Sequence, residues 1–266
     1  MLLELILICL ILGAVVGVMA GFLGIGGGAI MVPALVMLFQ SQGLYPENLM
    51  HMALGTSMAS IVATSYSSMR AHNANGYVAW STVKPMSVGV VTGAFLFSFI
   101  VSILSAITLS LFFAIFMTYV SVKMFFNFKP TSNKALPSQP ILALIGSAIG
   151  GISTLVSIGG GSLTVPYLVS RNIDIKTAIG SSAAIGLPIS LAATLGYILN
   201  GIDKFETDQF TLGYVYWPAV LAISASSFTT APIGAKLAHR LPVGVLKKCF
   251  AILLTVVSVK IFISFI

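Results

Sequence analysis

Residues 24 to 33 read Gly24-Ile25-Gly26-Gly27-Gly28-Ala29-Ile30-Met31-Val32-Pro33, and residues 157 to 166 read Ser157-Ile158-Gly159-Gly160-Gly161-Ser162-Leu163-Thr164-Val165-Pro166. The two stretches lie 133 residues apart, half of the 266-residue chain. A glycine inside a helix costs about 1 kcal/mol relative to alanine, so a glycine triplet in apolar sequence breaks a helix. The same break in each half points to a duplicated unit whose helix is opened at a fixed place.

The composition sets the solvent around that unit. The chain is 58% hydrophobic and only 7% charged, with a mean hydropathy of +1.06, whereas a soluble domain carries about 25% charged residues. Too few polar residues remain to cover a water-facing surface. The apolar segments 2–23, 29–40, 49–69, 84–103, 105–127, 139–156, 162–170, 177–199, 211–235 and 244–266 are therefore read as membrane helices, most near the ~20 residues that a crossing needs. The first carries Glu4 rather than a basic stretch and runs straight into the glycine motif, so it reads as a helix and not a signal peptide. Segments 29–40 and 162–170 are too short to cross, about 14 to 18 Å long as helices. Each is paired with its predecessor as a hairpin: one arm enters, the glycines turn the chain, and a short arm returns to the same side.

Charge gives the orientation. With both termini outside, eleven of the thirteen basic residues fall inside (Arg70, Lys84, Lys123, Lys129, Lys134, Arg171, Lys176, Lys236, Arg240, Lys247 and Lys248), and only Lys204 and Lys260 fall outside. Lys and Arg collect on the cytoplasmic side of membrane proteins. The net charge of +7 thus follows the bilayer and not nucleic acid. The fold expected is an all-α polytopic membrane protein of two inverted repeats, each a glycine-broken hairpin plus three transmembrane helices. The first repeat spans 1–127, a polar, proline-bearing cytoplasmic linker spans 128–139, and the second repeat spans 140–266. Phe113-Ala114-Ile115 matches Phe250-Ala251-Ile252, and Ser121-Val122-Lys123 matches Ser258-Val259-Lys260, which supports the pairing.

Irregular backbone survives inside a bilayer only where protein or a water-filled cavity surrounds it. The short arms begin just after the glycines, with Pro33 and Pro166 expected near their first turns, where a missing N–H costs least. A helix N-terminus offers free N–H donors and partial positive charge. Two of them facing each other at a repeat interface make an anion site near the midplane, a common transporter arrangement, and the mechanism expected is alternating access by rocking of the two halves about that site. Gly26, Gly27, Gly28, Gly159, Gly160 and Gly161 are the backbone candidates. A second motif pair, Gly55-Thr56-Ser57 and Gly180-Ser181-Ser182, adds the hydroxyls of Thr56, Ser57, Ser181 and Ser182. These either cap the helix start or donate to the anion. Ser162, with Ser153, Thr154, Ser157 and Thr164, adds hydroxyls around the second triplet only. Gly13, Gly17 and Gly21, at four-residue spacing, read as helix-packing positions. Arg70 and His72 read as an inside-facing basic anchor, or as a vestibule that attracts anions.

Several chemistries have no residues to carry them. No Asp or Glu falls in the middle of an apolar segment, neither triplet continues into a phosphate-binding loop, and no nucleophile sits beside a base. No enzyme activity, cofactor or metal is expected.

The paired motifs resemble the TauE/SafE (TSUP) family of membrane transporters. There each half carries a Gly-x-Gly-Gly-Gly-x-x-x-Val-Pro element followed by a Gly-Thr-Ser-like element. The resemblance runs over both halves, with Ser157 and Ser181 as departures. It implies a multi-pass protein of the bacterial inner membrane that exports a small sulfur-containing anion such as sulfite, sulfoacetate or another organosulfonate. A channel-like anion pore and a non-transporting scaffold are the alternatives, and the oligomeric state is left open.

Overall fold

A computed structural model describes residues 2–24, 26–44, 47–125, 135–204, 210–238 and Thr255. The described residues are almost entirely helical: α1 (Leu2–Leu23), α2 (Gly28–Ser41), α3 (Leu49–Ala74), α4 (Trp80–Ile103), α5 (Ala106–Phe125), α6 (Gln139–Val156), α7 (Gly161–Ser170), α8 (Ile175–Gly201) and α9 (Trp217–Ala238). Five of them, α1, α4, α5, α6 and α8, are long and apolar enough to cross a membrane. Helices α3 and α9 have the length, with 26 and 22 residues, but carry many hydroxyls. Those of α3 face inward: Thr56, Ser57, Ser60, Thr64, Ser65, Ser67 and Ser68 are all buried. A helix too polar for lipid is thus lined up against protein, where several of its hydroxyls return to its own backbone or cross to a neighbour. Ser60 donates to the Thr56 carbonyl at 2.9 Å, and Thr64 donates to Ser227 at 2.8 Å.

The expected breaks are present. α1 ends at Leu23 and α2 starts at Gly28, while α6 ends at Val156 and α7 starts at Gly161. At 1.5 Å per residue the short arms span about 21 and 15 Å, too little to cross. A side chain placed on Gly27 would run into Val16, near the middle of α1, so α2 starts back beside the helix that precedes it. At its far end Phe39 meets Tyr216 edge-on, with ring centroids 5.6 Å apart.

Two expectations need correction. Segment 211–235 is not helical throughout. Thr211–Leu212 and Val215–Tyr216 form a two-stranded antiparallel hairpin, β1 and β2, before α9 begins. Gly213 makes its turn with φ +57° and places the Tyr214 N–H on the Tyr197 carbonyl at 3.2 Å. Pro33 and Pro166 lie past the positions where a missing N–H costs least. Each is the sixth residue of its helix, because α2 and α7 start at the last glycine of the triplet with no residue to spare. They therefore remove a ladder bond from the carbonyls of Ala29 and Ser162. Most of the linker 128–139, and segment 244–266 apart from Thr255, lie outside the described residues.

The long helices pair in a reciprocal way. α1 packs on α9, and α4 packs on α6, each pair in extensive contact. Small residues bring their backbones together: Gly13 and Gly17 face Ile223 and Ser227, while Gly146 and Gly150 face Met86 and Val90. The contacts climb in step, so the members of each pair run in the same direction. Gly146 and Gly150 are the counterparts of Gly13 and Gly17 at the 133-residue offset. α9 also packs on α3, and α4 on α8, which assigns the helices to two groups, α1–α3–α9 and α4–α6–α8, although α3 packs on α8 as extensively as on α9. The groups meet mainly where α3 crosses α8. There His72 lies by Gly180 and Ser65 by Gly186, so these two helices run in opposite directions.

Candidate functional site

The two glycine breaks touch each other at the centre. A Cβ on Gly26 would lie 2.9 Å from the Ile158 carbonyl oxygen and 3.2 Å from Gly159 Cα, and one on Gly28 would overlap the Ser157 carbonyl oxygen. Their backbones match nearly angle for angle. Gly27 and Gly160, the residues that precede α2 and α7, both have φ +83°, with ψ −5° and −15°. Gly26 and Gly159 have φ +74° and +67°. Such left-handed residues disfavour a Cβ, which is why each break needs a glycine pair. Ser157 stands at φ +49° where the first loop has Gly24 at φ +68°. Its hydroxyl donates to the Leu54 carbonyl on α3 at 3.1 Å, offsetting the strain. Neither break supplies a side-chain cap. The third N–H of each helix, Ile30 and Leu163, donates to the carbonyl of Gly27 or Gly160 at 3.1 Å, so the donors that each helix start offers are the N–H groups of its first two residues, Gly28 and Ala29 in α2, Gly161 and Ser162 in α7.

The second motif pair divides by role. Gly55 and Gly180 lie against the carbonyls of Tyr214 and Tyr77, with no room for a Cβ. Next to them the Thr56 hydroxyl accepts the Tyr216 N–H at 3.0 Å, and the Ser181 hydroxyl accepts the Ala79 N–H at 2.9 Å. Tyr216 and Ala79 immediately precede α9 and α4. Glycine and hydroxyl together thus dock, on α3, the loop that leads into α9 and, on α8, the loop that leads into α4. Ser181→Ala removes one such bond and is expected to lower stability by about 1 kcal/mol. Thermal unfolding of the purified protein checks this, and an unchanged melting temperature would show that the bond contributes nothing.

The remaining hydroxyls lie at the breaks. Ser182 donates to the Gly24 carbonyl at 2.9 Å and ties α8 to the first loop. Ser57, fully buried, has no hydrogen-bond partner, and neither do the hydroxyls of Ser153, Ser162 and Thr164 around the second triplet. The sequence-derived set therefore comes together as one buried cluster of Gly26, Gly27, Gly28, Gly159, Gly160 and Gly161. Thr56 and Ser181 point their oxygens at loop backbone instead.

Two histidines join helices: His51, which sequence reasoning missed, and His72, which it read as part of a basic anchor or vestibule. His51 Nε2–H donates to the carbonyls of Val101 and Leu104, both at 3.1 Å, closing the end of α4, and its ring stacks on Tyr214. His72 Nε2–H donates to the Gly21 carbonyl at 2.9 Å. A lone histidine in an apolar segment carries no sequence signal for either role. His72 is buried and belongs to the α1–α3 contact, whereas Arg70 is exposed and shares a groove of about 570 Å³ with Lys236.

The chain is similar along most of its length to several known proteins. A probable membrane transporter protein of Haemophilus influenzae is 37% identical, over 97% of this chain and 98% of its own length. A probable membrane transporter protein of Methanocaldococcus jannaschii is 23% identical over 87% and 86%, and YunE of Bacillus subtilis, another probable membrane transporter protein, is 25% identical over 88% and 89%. No solved structure gives a significant match. The sequence profile of the sulfite exporter TauE/SafE family matches residues 9–261, and with nearly its whole length covered the chain belongs to that family.

Proposed function

We propose that this protein is a membrane carrier, working as an exporter, for a small sulfur-containing anion of the sulfite or organosulfonate class, sulfoacetate included. The observation that carries the proposal is the meeting of two uncapped helix starts at the buried centre, Gly26 and Gly28 against Ile158 to Gly159. Each start presents N–H donors and partial positive charge. An oxyanion needs several donors to replace its water, and backbone N–H groups supply them without a buried cation that would hold it too tightly to release.

The packing supports the inverted-repeat reading. α3 and α8 occupy equivalent places and run in opposite directions, while α1 with α9 and α4 with α6 run in the same direction. A two-fold axis in the membrane plane produces that pattern. Arg70 and Lys236 share one groove, and Lys176 stands over the Tyr77 ring just beyond the end of α3. This gathering of basic residues at one end supports a cytoplasmic assignment for it, with both termini outside.

The packing also changes what moves. The α1–α9 and α4–α6 contacts each join one repeat to the other. Rocking of the sequence halves would break both. The groups α1–α3–α9 and α4–α6–α8 keep those contacts and slide where α3 crosses α8, around the glycine breaks. An inside-negative potential drives anion export by about 2.3 kcal/mol per charge per 100 mV.

Counterflow in liposomes tests the proposal. Vesicles loaded with unlabelled sulfite and diluted into labelled sulfite are expected to accumulate label transiently and saturably. Simple equilibration without overshoot means a pore, and no flux from folded, reconstituted protein overturns transport of this anion class.

A further inference from the structure

The two breaks share a backbone but not a lining. Thr164, one turn into α7, and Ser153, near the end of α6, are both fully buried, and neither hydroxyl has a hydrogen-bond partner. Both converge on the start of α7. From the point that a Cβ on Gly160 would occupy, Thr164 Oγ1 is 3.4 Å away and Ser153 Oγ 3.6 Å. Many helical hydroxyls in this chain satisfy themselves on the carbonyl four residues back, as Ser60, Thr64, Ser87 and Ser110 do, whereas Ser57, Ser68 and Thr194 stand singly without a partner. Ser153 and Thr164 forgo that bond although both are shielded from bulk solvent. An unmade bond on a buried hydroxyl costs about 1–3 kcal/mol, and two of them side by side call for an occupant.

The first break offers nothing comparable. At the 133-residue offset, Ser153 becomes Ala20, Ser162 becomes Ala29 and Thr164 becomes Met31, and all three are buried. A Cβ on Gly27 would meet the methyl of Val16 rather than a hydroxyl. One helix start is walled by hydrocarbon, the other by hydroxyls.

We infer that the carrier holds a single oxyanion seat per chain, formed by the α7 start with the hydroxyls of Ser153 and Thr164, and that the first break is its unliganded structural twin. The inference rests on the anion-carrier reading. Hydroxyl oxygens alone accept cations as readily as they donate to anions, and the sign is decided by the helix start, whose partial charge is positive. Thr164 Oγ1 points back along α7 toward that start, as helical side chains do. Ile189 Cδ1 lies 2.6 Å from the same Cβ point, so the seat is closed here and fills once that side chain swings away.

The test is thermal stabilisation of the full-length, detergent-purified protein by sulfite, thiosulfate and sulfoacetate, with chloride and phosphate for comparison. The wild type is expected to be stabilised by at least one sulfur anion. Ser153→Ala and Thr164→Val are each expected to raise the concentration required by about tenfold or more, the loss of one hydrogen bond to a charge. Thr164→Ser keeps the hydroxyl and is expected to keep the shift, as is Ala20→Ser near the end of α1. Equilibrium titration is expected to give one anion per chain. Equal shifts in wild type, Ser153→Ala and Thr164→Val overturn the seat and leave the carrier standing, as do two anions per chain. Loss of the shift in Thr164→Ser as in Thr164→Val also overturns the seat, because packing and not the hydroxyl is then responsible. No stabilisation of folded wild type by any sulfur anion overturns the seat and the carrier reading together.

Discussion

Gly28→Ala is expected to leave little folded protein. Gly28 is the first residue of α2 and is helical, so local propensity favours alanine by about 1 kcal/mol. Tertiary contact reverses the sign. The new methyl would overlap the Ser157 carbonyl oxygen and lie 3.1 Å from Ile61 Cδ1. A flexible side chain could yield, but a carbonyl cannot easily, and Ser157 is pinned by its own bond to Leu54. Forcing the two breaks apart is expected to cost about 3 kcal/mol or more. Gly43→Ala is the comparison: φ is +65°, but no heavy atom lies within 4 Å of the added carbon. Only the left-handed strain of about 1–2 kcal/mol remains there. Membrane yield and melting temperature in detergent measure both. A Gly28→Ala protein as stable as wild type would mean that the two breaks do not touch.

Locking α3 to α8 is expected to abolish transport, whereas locking α3 to α9 is expected to spare it. A Cβ on Gly186 lies 3.7 Å from Ser65 Cβ, close to the ~3.8 Å that a disulfide spans. Ser65→Cys with Gly186→Cys therefore joins the two groups across their sliding contact. The Thr64 and Ser227 hydroxyls are 2.8 Å apart, and Thr64→Cys with Ser227→Cys joins α3 to α9 within one group. Both pairs connect the first repeat to the second. Cys9 and Cys249 are the native cysteines and are replaced by alanine beforehand. Sulfite counterflow is then measured oxidised and after reduction. The Gly186 methylene would also approach the Gly159 carbonyl at 2.9 Å, so the reduced protein is the control for strain. If oxidation stops flux in both pairs, the sequence halves are the moving bodies. If it stops flux in neither, α3 and α8 do not slide and the mechanism fails at its centre.

Part of this protein was legible in its residues. The repeated glycine triplets fixed both helix breaks to within a residue, because backbone preference at left-handed positions is local and few residues tolerate it. The apolar runs located the described spanning helices for a similar reason: the bilayer demands a length of hydrophobic sequence whatever the helix packs against. The four-residue spacing of Gly13 and Gly17 marked a packing face correctly. Lys and Arg along the chain suggested an orientation through a physical asymmetry of the membrane, independent of the fold.

Tertiary structure decided everything that depends on which helix meets which. The sequence could not say that α1 chooses α9 and α4 chooses α6, since small residues permit close approach without naming a partner. It could not separate Thr56 and Ser181, which hold loop N–H groups, from Ser153 and Thr164, which hold nothing. All four are hydroxyls within three residues of a glycine, and what distinguishes them is the presence of a backbone donor within about 3 Å. Gly28 shows the division most plainly. Its own chemistry makes it a poor helix start that alanine would improve, and the carbonyl of a residue far along the chain makes it irreplaceable.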